Sequence, residues 1–280
     1  MRHAYLIIAH NEPEILRLLI NSIDDSRNDI FLHIDSKSDF QAMSKNIKVR
    51  YSNIFYVKRN DVRWGDYSQV QTELDLFEYA YNQDNYRYFH LLSGVDLPIK
   101  SQDYIYNIFE QNDGKEFVTL YTPPSYETIE KILVYNFFTK NLRLPICRIL
   151  RKLFCLIQRF LHIKRKACKL ELKKGDNWLS VTNDFVQYLL SKKNLIRTYF
   201  KYTCCADEYF IQTFIYNSPF RENLFFGGDL RLINWPNYST NSPEVFNSDD
   251  LKKIEQSDCI FARKFSSKNM DVVEKVLKEI

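Results

Sequence analysis

Asp207 and Glu208 stand side by side in Cys204-Cys205-Ala206-Asp207-Glu208-Tyr209-Phe210-Ile211-Gln212-Thr213 and have the clearest claim on chemistry in this chain. Phe210, Ile211, Phe214 and Ile215 follow at helical spacing. The acids therefore fall near a helix N-terminus, where free N–H groups and the macrodipole favour a carboxylate. An acid so placed is either a helix cap or, at the mouth of a cleft, a general base. A second set of polar residues, His10, Asp35 and Ser93 to Asp96, comes directly after short apolar runs. Neither GxGxxG nor GxxxxGK[ST] occurs, which leaves dinucleotide and P-loop readings without support. The six cysteines, Cys147, Cys155, Cys168, Cys204, Cys205 and Cys259, show no CxxC spacing, so no zinc site is expected.

The elements that must position these residues read as strand and helix in alternation. Tyr5-Leu6-Ile7-Ile8-Ala9 is a continuous apolar run, the pattern of a strand buried on both faces. Ile15, Leu18, Leu19 and Ile23 then mark a helix, Ile30 to Asp35 a strand ending in an acid, and Ile54 to Val57 a third strand. A helix from Ser68 to Tyr81 carries Val70, Leu74, Phe77 and Tyr81 on one face, and Tyr88 to Leu92 is a fourth strand. This order predicts an α/β domain with a mainly parallel sheet flanked by helices. In such sheets ligands bind beyond the carboxyl ends of the strands, which is where His10, Asp35 and Ser93 fall. Further on, Phe117 to Leu120 and Trp178 to Thr182 read as strands and Asn183 to Ser191 as a helix. Arg231 and Trp235 lie in the segment after the Gly227-Gly228 turn, and Val272, Val273, Val276 and Leu277 mark a terminal helix.

With 280 residues and no repeat or low-complexity linker, a single domain over 1–280 is expected. The net charge of +4 is unevenly placed. Lys140, Arg143, Arg148, Arg151, Lys152, Arg159, Lys164, Arg165, Lys166, Lys169, Lys173 and Lys174 are opposed only by Glu171. Within this stretch Ile146, Ile149, Leu150, Leu153, Phe154, Ile157, Phe160 and Leu161 form a helical apolar stripe. Residues 121–175 thus read as a basic amphipathic helical insertion. Its 140–174 part either lies on an anionic inner-membrane surface or packs on the domain with its charges solvated. No RNP, KH or helix-turn-helix pattern accompanies the charge, so nucleic acid is not an expected partner. Met1-Arg2-His3 leads straight into an apolar strand and no apolar run reaches the roughly 20 residues of a span. The expected location is the cytoplasm, free or peripheral on the inner membrane.

Tyr5 to Asn11, His33-Ile34-Asp35, Trp64-Gly65-Asp66-Tyr67-Ser68, Leu92-Ser93-Gly94-Val95-Asp96-Leu97-Pro98-Ile99-Lys100, Asp207-Glu208 and Phe261-Ala262-Arg263-Lys264-Phe265 occur in this order. Taken together they resemble the core-2/I-branching glycosyltransferases, a family that includes β-1,6-N-acetylglucosaminyltransferases, peptide O-xylosyltransferases and many bacterial members. The resemblance runs from Ala4 to about Phe265 and is weak between Leu120 and Gly175. It implies a GT-A-like (Rossmann-like) fold, a UDP-sugar donor carrying N-acetylglucosamine or xylose, and an inverting transfer to a glycan hydroxyl. The acceptor would be a free or lipid-linked glycan of bacterial surface polysaccharide synthesis. No cofactor or divalent metal is implied, and the single carboxylate of Ser93-Gly94-Val95-Asp96, in place of Asp-x-Asp, agrees.

By the family's pattern Glu208 is the catalytic base and Asp207 its capping neighbour, while Lys264 contacts the diphosphate. A second cation, an arginine in other members, aligns near Asn241-Ser242-Pro243-Glu244, where this chain has none; Arg231 and Arg263 are the candidates to replace it. Asp35 would bond the uridine, Ile8, His10 and Ser93 would line the donor pocket, and Trp64 would pack on the uracil or in the core. Glu116, Trp178 and Trp235 are the acceptor-side candidates. Two other readings stay open: a catalytically silent nucleotide- or glycan-binding protein of the same fold, and a metal-dependent transferase using Asp96 with Asp35.

Overall fold

Side-chain alternation along the first strands sets the architecture. Tyr5, Ile7 and Ala9 belong to one buried cluster and Ala4 and Leu6 to another, because successive side chains leave a strand on opposite faces. Both faces are therefore covered, which a run such as Tyr5 to Ala9 requires. The computed structural model describes residues 1–163, 165, 169–236 and 242–280. Its strands are β1 (His3–Ala9), β2 (Asn28–Ile34), β3 (Asn53–Tyr56), β4 (Tyr88–Ser93), β5 (Asp96–Pro98), β6 (Ser180–Thr182), β7 (Arg231–Ile233) and β8 (Phe261–Arg263). One sheet has the order β3-β2-β1-β4-β6, parallel except for β6. The other has the order β5-β8-β7.

Helices pack on both faces of the larger sheet. The Pro13–Ser22 and Gln102–Gln111 helices lie on one side with the terminal Met270–Lys278 helix, and the Ser68–Gln83, Asn183–Ser191 and Phe210–Tyr216 helices lie on the other. Ser101 Oγ caps the Gln102–Gln111 helix by accepting from Tyr104 N. This is the mainly parallel α/β sheet flanked by helices that the sequence predicts.

The expected strand Phe117 to Leu120 does not form. Phe117 exchanges backbone bonds with Ser180, while Glu116 bonds across to Asn223 and Phe225 and Tyr121 turns to Lys174. Three successive partners leave no continuous ladder. The Tyr121–Lys174 bridge instead closes the 121–175 excursion at its base, with N···O distances of 2.7 and 2.9 Å. Within that excursion lie a π-helical turn, Ile129–Leu133, and the helix Pro145–Phe160.

Candidate active site

The carboxyl ends of β1, β2 and β4 are tied together by backbone. Ala9 O accepts from Asp35 N at 2.9 Å and Ile8 O from Gly94 N at 3.0 Å. A side chain at Gly94 would place its Cβ 2.7 Å from that of Ala9, so only glycine lets the β4 end close on β1. His10, Asp35 and Ser93 are thereby brought to one edge. Asp35 is buried, accepting from Lys37 N and from Lys37 Nζ at 2.7–2.8 Å, and Lys37 Nζ reaches on to Asp61. Trp64 is half-exposed in the loop beyond Asp61, on the surface rather than in the core. His10 is held below its ordinary value by partial burial of its ring. Asp35 opposes that shift, and Arg143, Lys37 and Arg263 reinforce it.

Arg263 belongs to the second sheet, and its strand explains how it arrives. In the β5–β8 ladder Asp96 stands opposite Arg263, with Oδ1 3.6 Å from Nε. Asp96 also accepts from Ser93 N at 2.9 Å and from Ser93 Oγ at 2.5 Å. The Arg263 guanidinium lies over the Trp178 ring, 4.5 Å from its centroid. Burial lowers its pKa while Asp96 and Asp176 act against that. Asp176 in turn is pushed up to about 6 by burial, by Asp229 and by Glu208. Lys264, next in the chain, donates to Ser242 Oγ at 2.8 Å and is lowered by burial and by Arg263. Two cations successive in the chain are therefore fixed at the end of β8, one beside Asp96 and the other at Ser242.

Glu208 is tied to Arg263 electrostatically through Asp176, which feels the charge of both. It ends a 3₁₀ turn, Ala206–Glu208, that Cys205 enters in the left-handed conformation. Its O accepts from Gly175 N at 3.0 Å. Gly175 is required there, since an added Cβ would sit 1.8 Å from Thr119 O. This close passage puts Lys174 beside the carboxylate, with Nζ 3.1 Å from Oε2, and Lys131 of the π-helical turn follows at 3.6 Å. Both lysines also reach Glu127 Oε1, at 2.6 and 2.9 Å. Burial works against their charge, but neighbouring groups that include Glu208 and Glu127 hold both above their ordinary value. Although burial raises the Glu127 carboxyl, hydrogen bonds from the two lysines hold it down to about 2. The Glu208 side chain remains one-third exposed.

Three residues have different roles from those expected. Asp207 caps no helix: the Phe210–Tyr216 helix starts beyond it, and Asp207 is buried with Oδ2 accepting from Gln69 Nε2 at 2.7 Å. Burial and the charge of Glu208 raise its pKa. Arg231 does not reach the cleft. Its guanidinium is buried over the Phe261 ring and donates to Asp229 O, Leu179 O and Ser180 Oγ. Glu116 is no acceptor contact, being fully buried with its oxygens accepting from Thr182 N at 2.9 Å and Thr182 Oγ1 at 2.5 Å. Trp235 is exposed beyond β7. Asn241, in the stretch where the family arginine aligns, and Lys164, Lys166 and Cys168 lie outside the described residues.

Nothing in the sequence sets Lys131 or Lys174, the lysines at Glu208, apart from the other lysines of the chain. Lys174 is only the end of a basic run; the one cue beside it is Gly175, one of six glycines, followed directly by Asp176. Among the described residues no group of three or more His, Cys, Asp or Glu side chains is placed to hold a metal ion.

The structure thus holds a partly exposed carboxylate between two lysines, and polar residues gathered at the carboxyl ends of β1, β2 and β4. The chain matches the Core-2/I-Branching enzyme family over residues 3–255 and belongs to that family. It is 22% identical over 99% of its length to the mouse β-1,3-galactosyl-O-glycosyl-glycoprotein β-1,6-N-acetylglucosaminyltransferase 4, covering 64% of that protein. The identity is also 22% to the human β-1,6-N-acetylglucosaminyltransferase 3 of the same description, 67% of which is covered. An Arabidopsis thaliana β-glucuronosyltransferase, GlcAT14B, matches at 22% with 66% covered. The chain thus spans about two thirds of the length of these relatives. Among solved structures, apo mouse xyloside xylosyltransferase 1 aligns over 94% of this chain and 97% of its own at 9% identity. Its TM-score of 0.38 is too low to define shared geometry.

Proposed function

We propose that the protein is an inverting glycosyltransferase that moves a sugar from a UDP-sugar to a hydroxyl of a glycan acceptor, with Glu208 as general base and no divalent metal. The observation that carries the reading is Glu208 itself, partly exposed and set between two lysines, with Asp176 feeling the charge both of Glu208 and of Arg263. In the transfer the acceptor oxygen attacks the anomeric carbon while its proton passes to the Glu208 carboxylate, and the bond from that carbon to UDP breaks on the opposite face. Lys264 and Arg263 offset the charge that develops on the leaving diphosphate, a task for fixed cations. Asp35, His10, Ile8 and Ser93 line the nucleoside end, with Trp64 beside it.

Absence of a metal step is supported by the state of Asp96, whose oxygens are taken up by Ser93 and by the nearby Arg263. N-acetylglucosamine is the favoured donor sugar, supported by the descriptions of the mouse and human relatives. The setting we infer is bacterial surface polysaccharide synthesis on a glycan or lipid-linked glycan, which rests on the family resemblance.

The test is turnover of a UDP-sugar panel by the wild type and Glu208→Gln. Loss of a general base costs about a hundredfold or more, with UDP binding retained. Turnover that persists in the variant removes Glu208 from the mechanism. UDP binding with no turnover of any sugar by the wild type would leave a silent binding protein.

A further inference from the structure

The helix Pro145–Phe160 is attached to the protein by its polar side. Of its 16 residues only Arg151, Cys155 and Gln158 are buried. Arg151 donates to Asn136 Oδ1 and Glu130 Oε1, both at 2.7 Å, and Gln158 bonds both N and O of Tyr135. The opposite face is apolar and open to solvent: Ile146, Ile149, Leu153, Leu156 and Phe160 are between 52% and 83% exposed. Phe137, itself exposed, extends the patch by meeting Phe154 edge to face at 5.2 Å. A contiguous apolar surface of this kind on a protein marks an interaction site.

The charges around the patch say what covers it. At about 100° of rotation per residue, Arg148, Lys152 and Arg159 form one row beside Leu156, between the apolar face and the buried stripe. All three are exposed, as are Lys140 and Arg143 ahead of the helix, and no Asp or Glu occurs between Glu130 and Glu171. A second copy docked on this face with its helix antiparallel in an isologous contact would bring the row against its own image, cation to cation. The helix is also convex, with its side chains outward, which suits a deformable surface better than a groove.

We infer that the Pro145–Phe160 helix lies in the interface of an anionic lipid bilayer, its Ile146, Ile149, Leu153 and Phe160 face among the upper acyl chains and Arg148, Lys152 and Arg159 at the phosphates. The helix is joined firmly to the cleft: Asn136 N donates to Tyr202 O at 2.8 Å and Cys204 N to Lys131 O at 3.0 Å, in the segment that presents Glu208. Membrane seating therefore sets the cleft close to the bilayer. This inference does not depend on the transferase reading, because its test involves no turnover.

The full chain is sedimented with vesicles of phosphatidylcholine alone or mixed with phosphatidylglycerol. Binding to the mixed vesicles, weakened by high salt, is expected. Arg148→Glu with Lys152→Glu lowers that binding by at least about thirtyfold, from a contribution near fivefold per basic residue. Ile149→Asp with Phe160→Asp abolishes it, with an unchanged melting temperature because both side chains are already exposed. Equal binding to both vesicle types, or undiminished binding of the Ile149–Phe160 variant, overturns the inference. So does a concentration-dependent dimer that is lost in that variant while no vesicles are bound; the face would then belong to a second copy.

Discussion

Lys174 and Glu208 meet at 3.1 Å, Nζ to Oε2, but without hydrogen-bond geometry, and the oxygen has no hydrogen-bond partner. The ammonium is aimed instead at Glu127 Oε1, 2.6 Å away. Oε2 of the proposed base is thus buried beside a cation without a hydrogen bond to it, and Glu127 is the group that fixes the cation. Lys174→Met is expected to reduce turnover by about tenfold, the scale of a lost interaction near 1.4 kcal/mol, and to leave UDP affinity unchanged. The variant also has a stability signature. A depressed carboxyl such as Glu127, down from 4.5 to about 2, contributes stability that is present above pH 4.5 and is lost as pH falls toward 2. Denaturant titrations at descending pH should show a shallower acid loss in Lys174→Met than in the wild type.

Two arginine-and-lysine assignments separate cleanly by experiment. Lys264→Ala should weaken UDP binding by about ten- to a hundredfold, the value of a charge-assisted hydrogen bond of about 1.5–3 kcal/mol, with little change in melting temperature. Arg231→Met should do the reverse. It strands buried oxygens of Asp229, Leu179 and Ser180 and should cost about 2–4 kcal/mol of stability, while the folded fraction binds UDP normally. Calorimetry with UDP and thermal unfolding on both variants decide the matter. A stable Arg231 variant that cannot bind UDP would restore Arg231 to the phosphate site.

Glu116 gives a pH dependence of opposite sign to Glu127. Burial pushes its carboxyl from 4.5 up to about 7, against the hydrogen bonds from Thr182. A raised acid holds its proton in the folded chain longer than in the unfolded one, so its contribution is full below pH 4.5 and declines until about pH 7. Glu116→Gln keeps the shape and an acceptor for Thr182 N while removing the titration. Urea unfolding between pH 4.5 and 8 should be flatter in the variant, which gains up to about 3 kcal/mol over the wild type at the alkaline end. Parallel curves would show that Glu116 is ionised in the fold.

What the sequence made legible follows the range of the signal. The apolar runs at Tyr5–Ala9 and Tyr88–Leu92 are local, and β1 and β4 formed where they predict. The strand-end residues His10, Asp35 and Ser93 followed from topology alone. Phe117 to Leu120 misled because a β-pattern does not reveal that each residue will find a different partner. Arg231 and Glu116 look like site residues in one dimension; only packing shows that one faces carbonyls and the other Thr182. Lys131 is not legible in one dimension because 77 residues part it from Glu208 (208 − 131), and nothing in its neighbours announces the contact. The Pro145–Phe160 stripe was visible as a period, but not that the polar side would be the buried one.

Asp96 supplies the last prediction. A divalent ion at a nucleotide-sugar site needs carboxylate oxygens that can exchange water for metal. Asp96 is buried, bonded twice to Ser93, faced by Arg263 across the β5–β8 ladder, and raised in pKa chiefly by its burial. Releasing it to a metal would break the Ser93 bonds and leave the Arg263 cation in a buried site without its neighbour. Asp35, the other carboxylate at this edge, is held by Lys37. Turnover should therefore be undiminished in EDTA and unchanged by added magnesium or manganese, measured as initial rates on the purified chain. Asp96→Asn should cost stability rather than introduce or abolish a metal response. Loss of activity in EDTA that manganese restores, together with loss of that restoration in Asp96→Asn, would replace the Arg263–Lys264 pair with a metal as the group that meets the diphosphate.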